Sequence, residues 1–350
     1  MPTVKSIRPL LFLITSLFCI SMQAQHKLNV DIISDPAHQK ILVNVAGKPF
    51  TEFIYPDSIE KPILFPIYAS NGASITRGFP IAPLAGEPTD HPHHTGLWFT
   101  YENVNGLDFW NNSYAIATDK KNMYGWIKTD RILETKSGPD ARLVYAANWV
   151  NQQNQVLLRE TTTFIFCAYN NLRIIDRNTA LLAEQDISFT DAKDGLLGLR
   201  VAHELELPSA QPRSFTDNKG NTTQVQGSNG ATGNYITSEG NEGDSAWSTR
   251  GTWCMLYGKK QGDVISITII DHPSNPGYPT YWHARGYGLF AANPLGEKIF
   301  SKGKKTMGYT LKKGETTMFR YRIVIGADNK RLDNDQLNKL ATEFATQPFK

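Results

Sequence analysis

The sequence predicts an all-β protein, a large antiparallel β-sandwich that carries one C-terminal helix. Three observations predict this class. Most of the chain alternates at period two, the alternating runs are rich in Val, Ile, Thr and aromatic residues, and each run closes at a Gly, Asn or Lys-Gly turn. A sandwich of the galactose-mutarotase type suits this length and composition by analogy. The predicted strands are 28–33, 41–45, 142–150, 156–166, 172–178, 264–270 and 317–325.

Short polar segments between these runs fit hairpin turns, because they contain Gly, Asn and Lys where the chain must reverse. These turns are 151–154, 169–171, 258–262 and 312–315. Near the C-terminus, Asp333 or Asn334 can cap a helix that we expect to pack across one edge of the sandwich. Its apolar residues recur at three- and four-residue spacing: Leu337, Leu340, Ala341 and Phe344.

The region 208–244 departs from this pattern, because Gly, Asn, Ser and Thr dominate it. It is predicted to be a long loop or a frayed hairpin excursion, and loops of that length are either functional or mobile. No internal repeat and no linker divides the chain. We therefore expect a single domain over residues 25–350.

The first 24 residues are predicted to be a secretory signal peptide. Lys5 and Arg8 precede an uncharged run, and small or polar residues surround Ala24, near which we expect cleavage. The apolar part of the run is too short to span a bilayer, which takes roughly 20 residues. Bulky Phe18 before Cys19 argues against a lipid anchor. The mature protein is expected to be periplasmic or secreted and not inserted in a membrane.

The charge balance gives no indication of a nucleic-acid partner. The full chain carries a formal charge of +3, and loss of Lys5 and Arg8 with the leader reduces it to +1. Cys167 and Cys254 lie in apolar, strand-like runs. We expect both to be buried as small hydrophobic residues rather than joined in a disulfide.

The segment Asp-His-Pro-His-His at 90–94 is the most distinctive candidate site. In an extended segment, side chains two residues apart share a face, so His91 and His93 are expected to point together, with His94 on the opposite side. The Asp-His-Pro triplet recurs at 271–273. We expect the two copies to meet in one cleft. An alternative is that each copy only caps a turn ahead of its proline.

Two chemistries fit this histidine cluster equally. His91 and His93 can present two imidazoles to a divalent metal ion, which then needs at least one more ligand. Candidates for that ligand are His203, Glu204, Asp271, His272 and His283. Without a metal, imidazoles and carboxylates can act as general acid and base. The candidate catalytic residues are His91, His93, His94, Asp108, Glu204, Asp271 and His272.

Aromatic residues crowd the same segments and favour a sugar as ligand, since a pyranose has an apolar face and a polar rim. The candidate substrate-binding residues are Asn105, Trp110, Asn275, Trp282, His283 and Arg285. The alternative for each aromatic residue is a place in the core. No Gly-x-Ser-x-Gly elbow, phosphate-binding loop, Cys-x-x-Cys pair or His-Glu-x-x-His helix is found, which argues against hydride transfer, phosphoryl transfer and zinc proteolysis.

Three segments resemble a family of secreted bacterial proteins labelled "methane oxygenase PmoA". They are DHPHHTGLWFTYENVNGLDFW, SEGNEGDSAWSTRGTWCMLYG and IIDHPSNPGYPTYWHARGYGLFAANPLG, and the resemblance runs from about residue 68 to 325. A membrane oxygenase subunit needs several spans of roughly 20 apolar residues, which this chain lacks, so the label implies no methane oxidation here. The family occurs in bacteria that degrade complex glycans, which matches a sugar ligand.

These observations lead to one main hypothesis and two rivals. The main hypothesis is an exported carbohydrate-active enzyme, a hydrolase, lyase or isomerase of a glycan or oxidised sugar, centred on His91 and His93. Glu204 or Asp108 would be the partner carboxylate and Arg285 would hold an anionic or carbonyl oxygen. The rivals are a non-catalytic periplasmic glycan-binding protein and a structural partner at the cell surface.

Overall fold

The computed structural model describes residues 26–216, 222–225 and 230–348. The predicted signal peptide and Cys19 lie outside the described residues. The strands are β1 Val30–Asp35, β2 Lys40–Val45, β3 Lys48–Ile54, β4 Ile63–Ile67, β5 Leu97–Tyr101, β6 Trp126–Lys136, β7 Ala141–Val150, β8 Val156–Ala168, β9 Leu172–Ala183, β10 Ile187–Phe189, β11 Gly195–Arg200, β12 Arg213–Thr216, β13 Thr222–Val225, β14 Asn234–Thr237, β15 Trp253–Lys260, β16 Asp263–Asp271, β17 Tyr281–Ala284, β18 Leu289–Asn293, β19 Tyr309–Leu311 and β20 Thr316–Asp328. The helices are α1 Glu297–Phe300 and α2 Asn334–Thr346, with short 3-10 helices at Pro36–His38, Thr118–Met123, His203–Leu205 and Gly243–Ala246.

Two eight-stranded antiparallel sheets form the body of the protein. The first sheet has the strand order β1-β2-β3-β4-β5-β11-β18-β17, and the second has the order β14-β15-β16-β20-β9-β8-β7-β6. Apolar side chains from both sheets, such as Phe99 and Ile267, form the main core between them. The predicted all-β antiparallel sandwich with a C-terminal helix is thereby confirmed.

The predicted strands are found with small changes at their ends, because the alternation that predicted them follows burial. In β16, Ile265, Ile267 and Ile269 face the main core, while Ile270 points to the outer side of the second sheet. Side chains that alternate between two buried surfaces explain why this strand is apolar at nearly every position.

Helix α2 begins as the sequence predicts, with a capping box. The Asp333 carboxylate accepts from the Gln336 backbone N–H at 2.8 Å, and the Gln336 side chain accepts from the Asp333 N–H at 3.2 Å. Leu337 and Phe344 are buried against the outer face of the second sheet, in a cluster that includes Trp253. The helix therefore covers a sheet face rather than an edge, because that face is apolar and has to be buried.

One connection differs from the sequence-based expectation, and the region 208–244 agrees with it in part, through a hairpin. The 312–315 turn joins β19 to β20, but these strands do not form a hairpin, since β19 pairs with β10 and β20 pairs with β9 and β16. The region 208–244 contains the β12–β13 hairpin and β14, which extends the second sheet. Positions 217–221 and 226–229 of that region lie outside the described residues.

Cys167 and Cys254 are both buried and not joined in a disulfide, as the sequence predicts.

Among the helices of the described residues, none has the length and apolar character needed to cross a bilayer.

Candidate functional site

The outer face of the first sheet carries the candidate site. One row of paired residues crosses four neighbouring strands of this sheet. In order across the sheet, the row consists of Trp98 on β5, Gly198 on β11, Ala291 on β18 and His283 on β17. Paired residues of antiparallel strands project to the same side of a sheet. Their sequence neighbours, such as Phe99, point into the main core, so this row faces outward.

Gly198 makes room for two indoles on this face. A Cβ atom at position 198 would lie 2.5 Å from Trp98 and 2.7 Å from Trp110. Trp98 and Trp110 pack with Ile63 and Phe65 in a separate apolar cluster, and both indoles are fully buried. The sequence-predicted aromatic platform at Trp110 is therefore the floor beneath the site, not its exposed surface.

The three neighbouring histidines cluster above these indoles. The 91–94 segment is a turn rather than a strand, because the His94 N–H donates to the His91 carbonyl at 3.0 Å and His91 has a φ of +47°. The His94 ring stacks on His91 at 4.8 Å and on Trp98 at 5.3 Å between centroids, and His93 meets His94 edge-on at 4.3 Å. The expectation that His94 points away from the other two is corrected, since it rested on extended backbone.

Two buried arginines hold this turn in place. Arg77 donates to the Asp90 carboxylate at 2.8 Å and to the carbonyls of His91 and His94 at 3.0 and 3.1 Å. Arg200 donates to the same Asp90 oxygen at 2.8 Å. Neither arginine was singled out from the sequence, because each lies far along the chain from the turn that it binds.

Burial and charge set the protonation of this cluster. Burial opposes ionisation of Asp90, but the His91 hydrogen bond and the charges of Arg200 and Arg77 outweigh it and hold the pKa of Asp90 well below its usual range. Burial lowers the pKa of His94 and of His93 well below the ordinary value, and nearby cations lower both further. His93 and His94 are therefore neutral imidazoles at physiological pH.

Asp194 brings a carboxylate with an unusual pKa to the same face. It precedes β11, and Asn293 positions its loop by donating to the Ala192 and Lys193 carbonyls at 2.9 and 2.8 Å. Burial raises the pKa of Asp194 to about 6, and the charge of Glu102 adds to this effect. Asp194 was not among the residues predicted from the sequence, where its only signal is an acidic residue directly before an apolar, Gly-containing run.

His283 lies beside Asp194, with 3.4 Å between its Nδ1 and the carboxylate Oδ1. Burial lowers the pKa of His283 to about 3, and the charges of Lys193 and Arg285 contribute. At neutral pH the pair is therefore a carboxylate beside a neutral, fully buried imidazole. His283 was predicted from the sequence as a substrate-binding residue. In the structure it is buried, and Asp194 is the carboxylate that it contacts.

Tyr287 connects the histidine cluster to Asp194. Its ring stacks on His91 at 5.1 Å, and the Arg200 guanidinium lies 5.0 Å from the ring centroid. Burial raises the pKa of Tyr287 to about 12, and the charges of Asp194 and Asp90 act in the same direction. Half-buried Arg285, predicted from the sequence as a substrate-binding residue, lies 5.7 Å from the same ring, at the edge of the site.

Asp108 also lies at this face, but its oxygens are already engaged. One accepts the backbone N–H groups of Trp110 and Asn111 at 2.9 and 2.8 Å, and the other accepts the Asn111 side chain at 2.9 Å. Burial raises the pKa of Asp108, and the Asn111 hydrogen bonds oppose the shift. This carboxylate therefore shapes the loop below the site instead of reaching a ligand.

The second Asp-His-Pro copy lies on the other side of the molecule. The His272 ring meets Phe344 of α2 at 5.0 Å, on the outer face of the second sheet. Asp271 accepts from the Asn275 side chain at 2.7 Å and from the Thr280 N–H at 2.8 Å, and Asn275 also donates to the Arg320 carbonyl. The prediction of one cleft for both copies is corrected: the sheets themselves separate them, and Asp271, His272 and Asn275 close a structural loop.

Three other candidates are also engaged elsewhere. Glu204 forms an ion pair with Lys260 at 2.5 Å, whereas Glu206 is the carboxylate that lies near Arg200, at 3.6 Å. Exposed Asn105 ties its loop to residues 186 and 188. Trp282 is fully buried in the main core, which leaves it no surface for a sugar.

The donor atoms do not fit the metal site suggested by His91 and His93. His91 Nδ1 is bound to the Asp90 carboxylate at 2.5 Å, and the two rings are tilted by 74° with centroids 5.6 Å apart. Over the residues that the structure describes, no three His, Cys, Asp or Glu side chains converge as a metal would require.

A cavity of about 700 Å³ lies elsewhere, between α2 and the outer face of the second sheet. Two of its charged groups pair with each other: Arg322 binds Asp176 through two hydrogen bonds of 2.6 and 2.7 Å. Burial and a hydrogen bond to Asp140 raise the pKa of the Cys167 thiol there to about 12, which leaves it unreactive. The size of this cavity is therefore not, by itself, an indication that a reaction takes place there.

Comparison with known proteins gives a family and distant structural similarities. The profile described as "Family of unknown function (DUF6807)" matches residues 40–342. A search of curated proteins finds no significant match.

Solved structures resemble the chain only distantly. The GH36 α-galactosidase AgaB from Geobacillus stearothermophilus matches at 10% identity and a TM-score of 0.38, over 86% of this chain and 41% of its own. The galactosidase domain of an α-galactosidase-sucrose kinase matches at 9% and 0.39, over 85% and 42%. A galactose mutarotase related enzyme from Lactobacillus acidophilus matches at 10% and 0.29, over 87% and 99%. This chain thus spans about two fifths of the α-galactosidase, and similarities at this level carry no argument about function.

Proposed function

Because the chain belongs to the DUF6807 family, whose function is unknown, we propose from the site itself that it is an exported carbohydrate-active enzyme. It acts by acid/base chemistry on the outer face of the first sheet, with Asp194 as the general base. Export rests on the predicted signal peptide.

One observation carries this proposal: a largely buried carboxylate whose pKa is raised to about 6 lies 3.4 Å from the buried His283 imidazole. A general base is most effective when its pKa lies near the working pH, because it is then both ionised and able to accept a proton. Unusual pKa values of this kind concentrate at functional sites.

The surroundings of Asp194 favour a sugar as substrate. Tyr287 and Arg285 are half-buried at the rim and can contact a ring face and its oxygens. His93, a neutral imidazole, has one donor and one acceptor nitrogen and so suits a hydroxyl group. Together these groups combine an aromatic surface with hydrogen-bonding atoms, which is what a pyranose requires.

The test is turnover of a broad panel of glycans, sugar acids and keto-sugars by the purified mature protein. With Asp194 as base, we expect kcat/KM to fall as the pH drops below about 6, since protonation removes the base. The Asp194→Asn variant should lose activity by roughly 10²- to 10⁴-fold, the usual contribution of a general base. The variant's circular dichroism should match the wild type.

Asp186→Asn is the matched control, because Asp186 is an exposed carboxylate paired with Lys312 on the surface. It should retain full activity. A wild-type level of turnover in Asp194→Asn would refute the assignment of the base.

The alternative function is a non-catalytic glycan-binding protein. One observation favours it: the His91 ring is stacked on Tyr287 at 5.1 Å and is held there by the Asp90 carboxylate, which gives a fixed, flat surface for a sugar ring. Sugar binding without turnover of any member of the panel would decide for this alternative.

A further inference from the structure

Lys61 is a buried lysine at the edge of the candidate site. It lies just before β4, and only 3% of its surface is exposed. Its ammonium donates to the Trp110 carbonyl at 3.2 Å and lies 5.5 Å from the centroid of the Trp98 ring. The Trp98 indole and the Trp110 backbone carbonyl therefore fix the position of this charge.

The Lys61 charge lacks a direct counterion. In the described parts of the chain, no carboxylate lies within 4.0 Å of its Nζ. Glu60 and Asp108 act on it only from a greater distance, and the oxygens of Asp108 are already occupied by its own loop. An ammonium has three donors, and leaving two without an acceptor in a buried setting is costly.

Lys61 borders the histidine cluster. After burial, its charge is the largest influence that lowers the pKa of His93. The Lys61 ammonium and the His94 ring both lie against the Trp98 indole, at 5.5 and 5.3 Å from its centroid, and the His93 ring meets His94 at 4.3 Å. One indole therefore links the ammonium to the histidine cluster, which includes the imidazole that the proposed function assigns to sugar hydroxyls. A ligand held by His93 would bring an adjacent substituent towards the two unused donors of Lys61.

We propose that the Lys61 ammonium binds the carboxylate of an acidic sugar, so that the substrates of this site are uronic acids or their glycans. A single compact ammonium beside the Trp98 indole suits a monoanionic group on an otherwise apolar ring face. A phosphate dianion is usually held by several N–H donors or by an arginine fork. This inference rests on the proposed function, since it names the substrate class of the same site.

The experiment is calorimetric binding of glucuronate, galacturonate and their short oligosaccharides to the wild-type protein, each compared with its methyl ester. The ester keeps the shape and removes the charge. We expect the acids to bind at least about tenfold more tightly, equivalent to 1.4 kcal/mol, and the difference to shrink with added NaCl. Lys61→Met should reduce acid binding to the level of the ester.

Lys121→Met is a closely matched control. Lys121 also donates to a backbone carbonyl, that of Ser113 at 2.8 Å, and lies 5.6 Å from an indole centroid, that of Trp126. Its removal should leave the preference for acids unchanged. Lys61→Arg, which keeps the charge, should retain part of that preference.

Equal binding of acids and esters by the wild type would overturn the inference, and this comparison stands even if Lys61→Met fails to fold. If neutral sugars bind and are turned over through Asp194 while acids gain nothing, the proposed function stands and the uronic-acid inference falls. If no sugar of either kind binds, both are refuted.

Discussion

Asp90 is the residue on which the histidine turn depends. Its carboxylate joins two arginine side chains, Arg77 and Arg200, neither of which is exposed, and it also binds His91. Removal of the charge would leave both guanidinium groups buried with one acceptor fewer. Such a loss destabilises the folded state, because a buried guanidinium then lacks the negative charge that offsets its removal from water.

We predict that Asp90→Asn lowers the free energy of unfolding by about 1–3 kcal/mol at neutral pH, less than for a fully buried pair because the Asp90 side chain is 31% exposed. Urea unfolding measures this. The pKa of Asp90 is lowered in the folded state, so its contribution is complete above the unfolded value of about 3.9 and is lost as the pH falls further. The difference from wild type should therefore shrink below about pH 4.

Asp130→Asn serves as the control for this prediction. Asp130 forms a surface pair with Arg131, and both side chains are well exposed. Its substitution should change stability by less than about 0.5 kcal/mol. An Asp90→Asn protein as stable as wild type would mean that the two arginines find other partners.

At the scale of elements, the site exists because strands β5 and β11 pair closely beneath two indoles. Gly198 is the position where the absence of a side chain decides the packing, since a Cβ would approach Trp98 and Trp110 to 2.5 and 2.7 Å. The indoles in turn support His94 and Lys61. Strand pairing and site geometry are therefore coupled through one glycine.

We predict that Gly198→Ala costs about 1–3 kcal/mol in unfolding free energy, the usual penalty for overpacking. The tryptophan fluorescence of the folded protein should change, and sugar affinity should fall because the floor of the site shifts. Gly326→Ala is the control, since a Cβ there would meet the flexible Leu332 side chain at 3.3 Å. Unchanged stability and fluorescence in Gly198→Ala would contradict this account of the floor.

For the molecule as a whole, the sandwich separates two sequence motifs that look alike. The first Asp-His-Pro lies over the first sheet, and the second lies over the second sheet beside α2. The main core lies between them. The two copies have no common contact and so are expected to serve different purposes.

We predict that His93→Ala weakens sugar binding about tenfold or more, equivalent to 1.4 kcal/mol, whereas His272→Ala leaves the dissociation constant unchanged. His272→Ala should instead cost about 1 kcal/mol of stability, because it loses the ring contact with Phe344. Calorimetry and urea unfolding separate the two effects. In the variant that carries both His93→Ala and His272→Ala, the changes in unfolding free energy should add, since the two sites are distant. Loss of turnover in His272→Ala would contradict the separation of the two motifs.

The sequence by itself determined the strands, the capped helix and the segment around which the site forms. These follow from local rules: alternation at period two, the Asp333 capping pattern, and three histidines within four positions. Local spacing was not enough for the backbone of the 91–94 turn. There Arg77 binds the His91 and His94 carbonyls, which a strand would use for pairing, and Arg200 binds the Asp90 carboxylate.

Only the tertiary structure decided which distant residues meet. It placed Tyr287 on His91, brought Lys61 to the indole that supports His94, and set Asp194 beside His283 on the same sheet face. It carried Asp271 and His272 to the opposite face. The physical reason is that contacts across a sheet depend on strand order and register, which bring together residues far apart in the chain. The burial that shifts the pKa of Asp194 likewise arises only when the strand that carries His283 and the loop before β11 have come together.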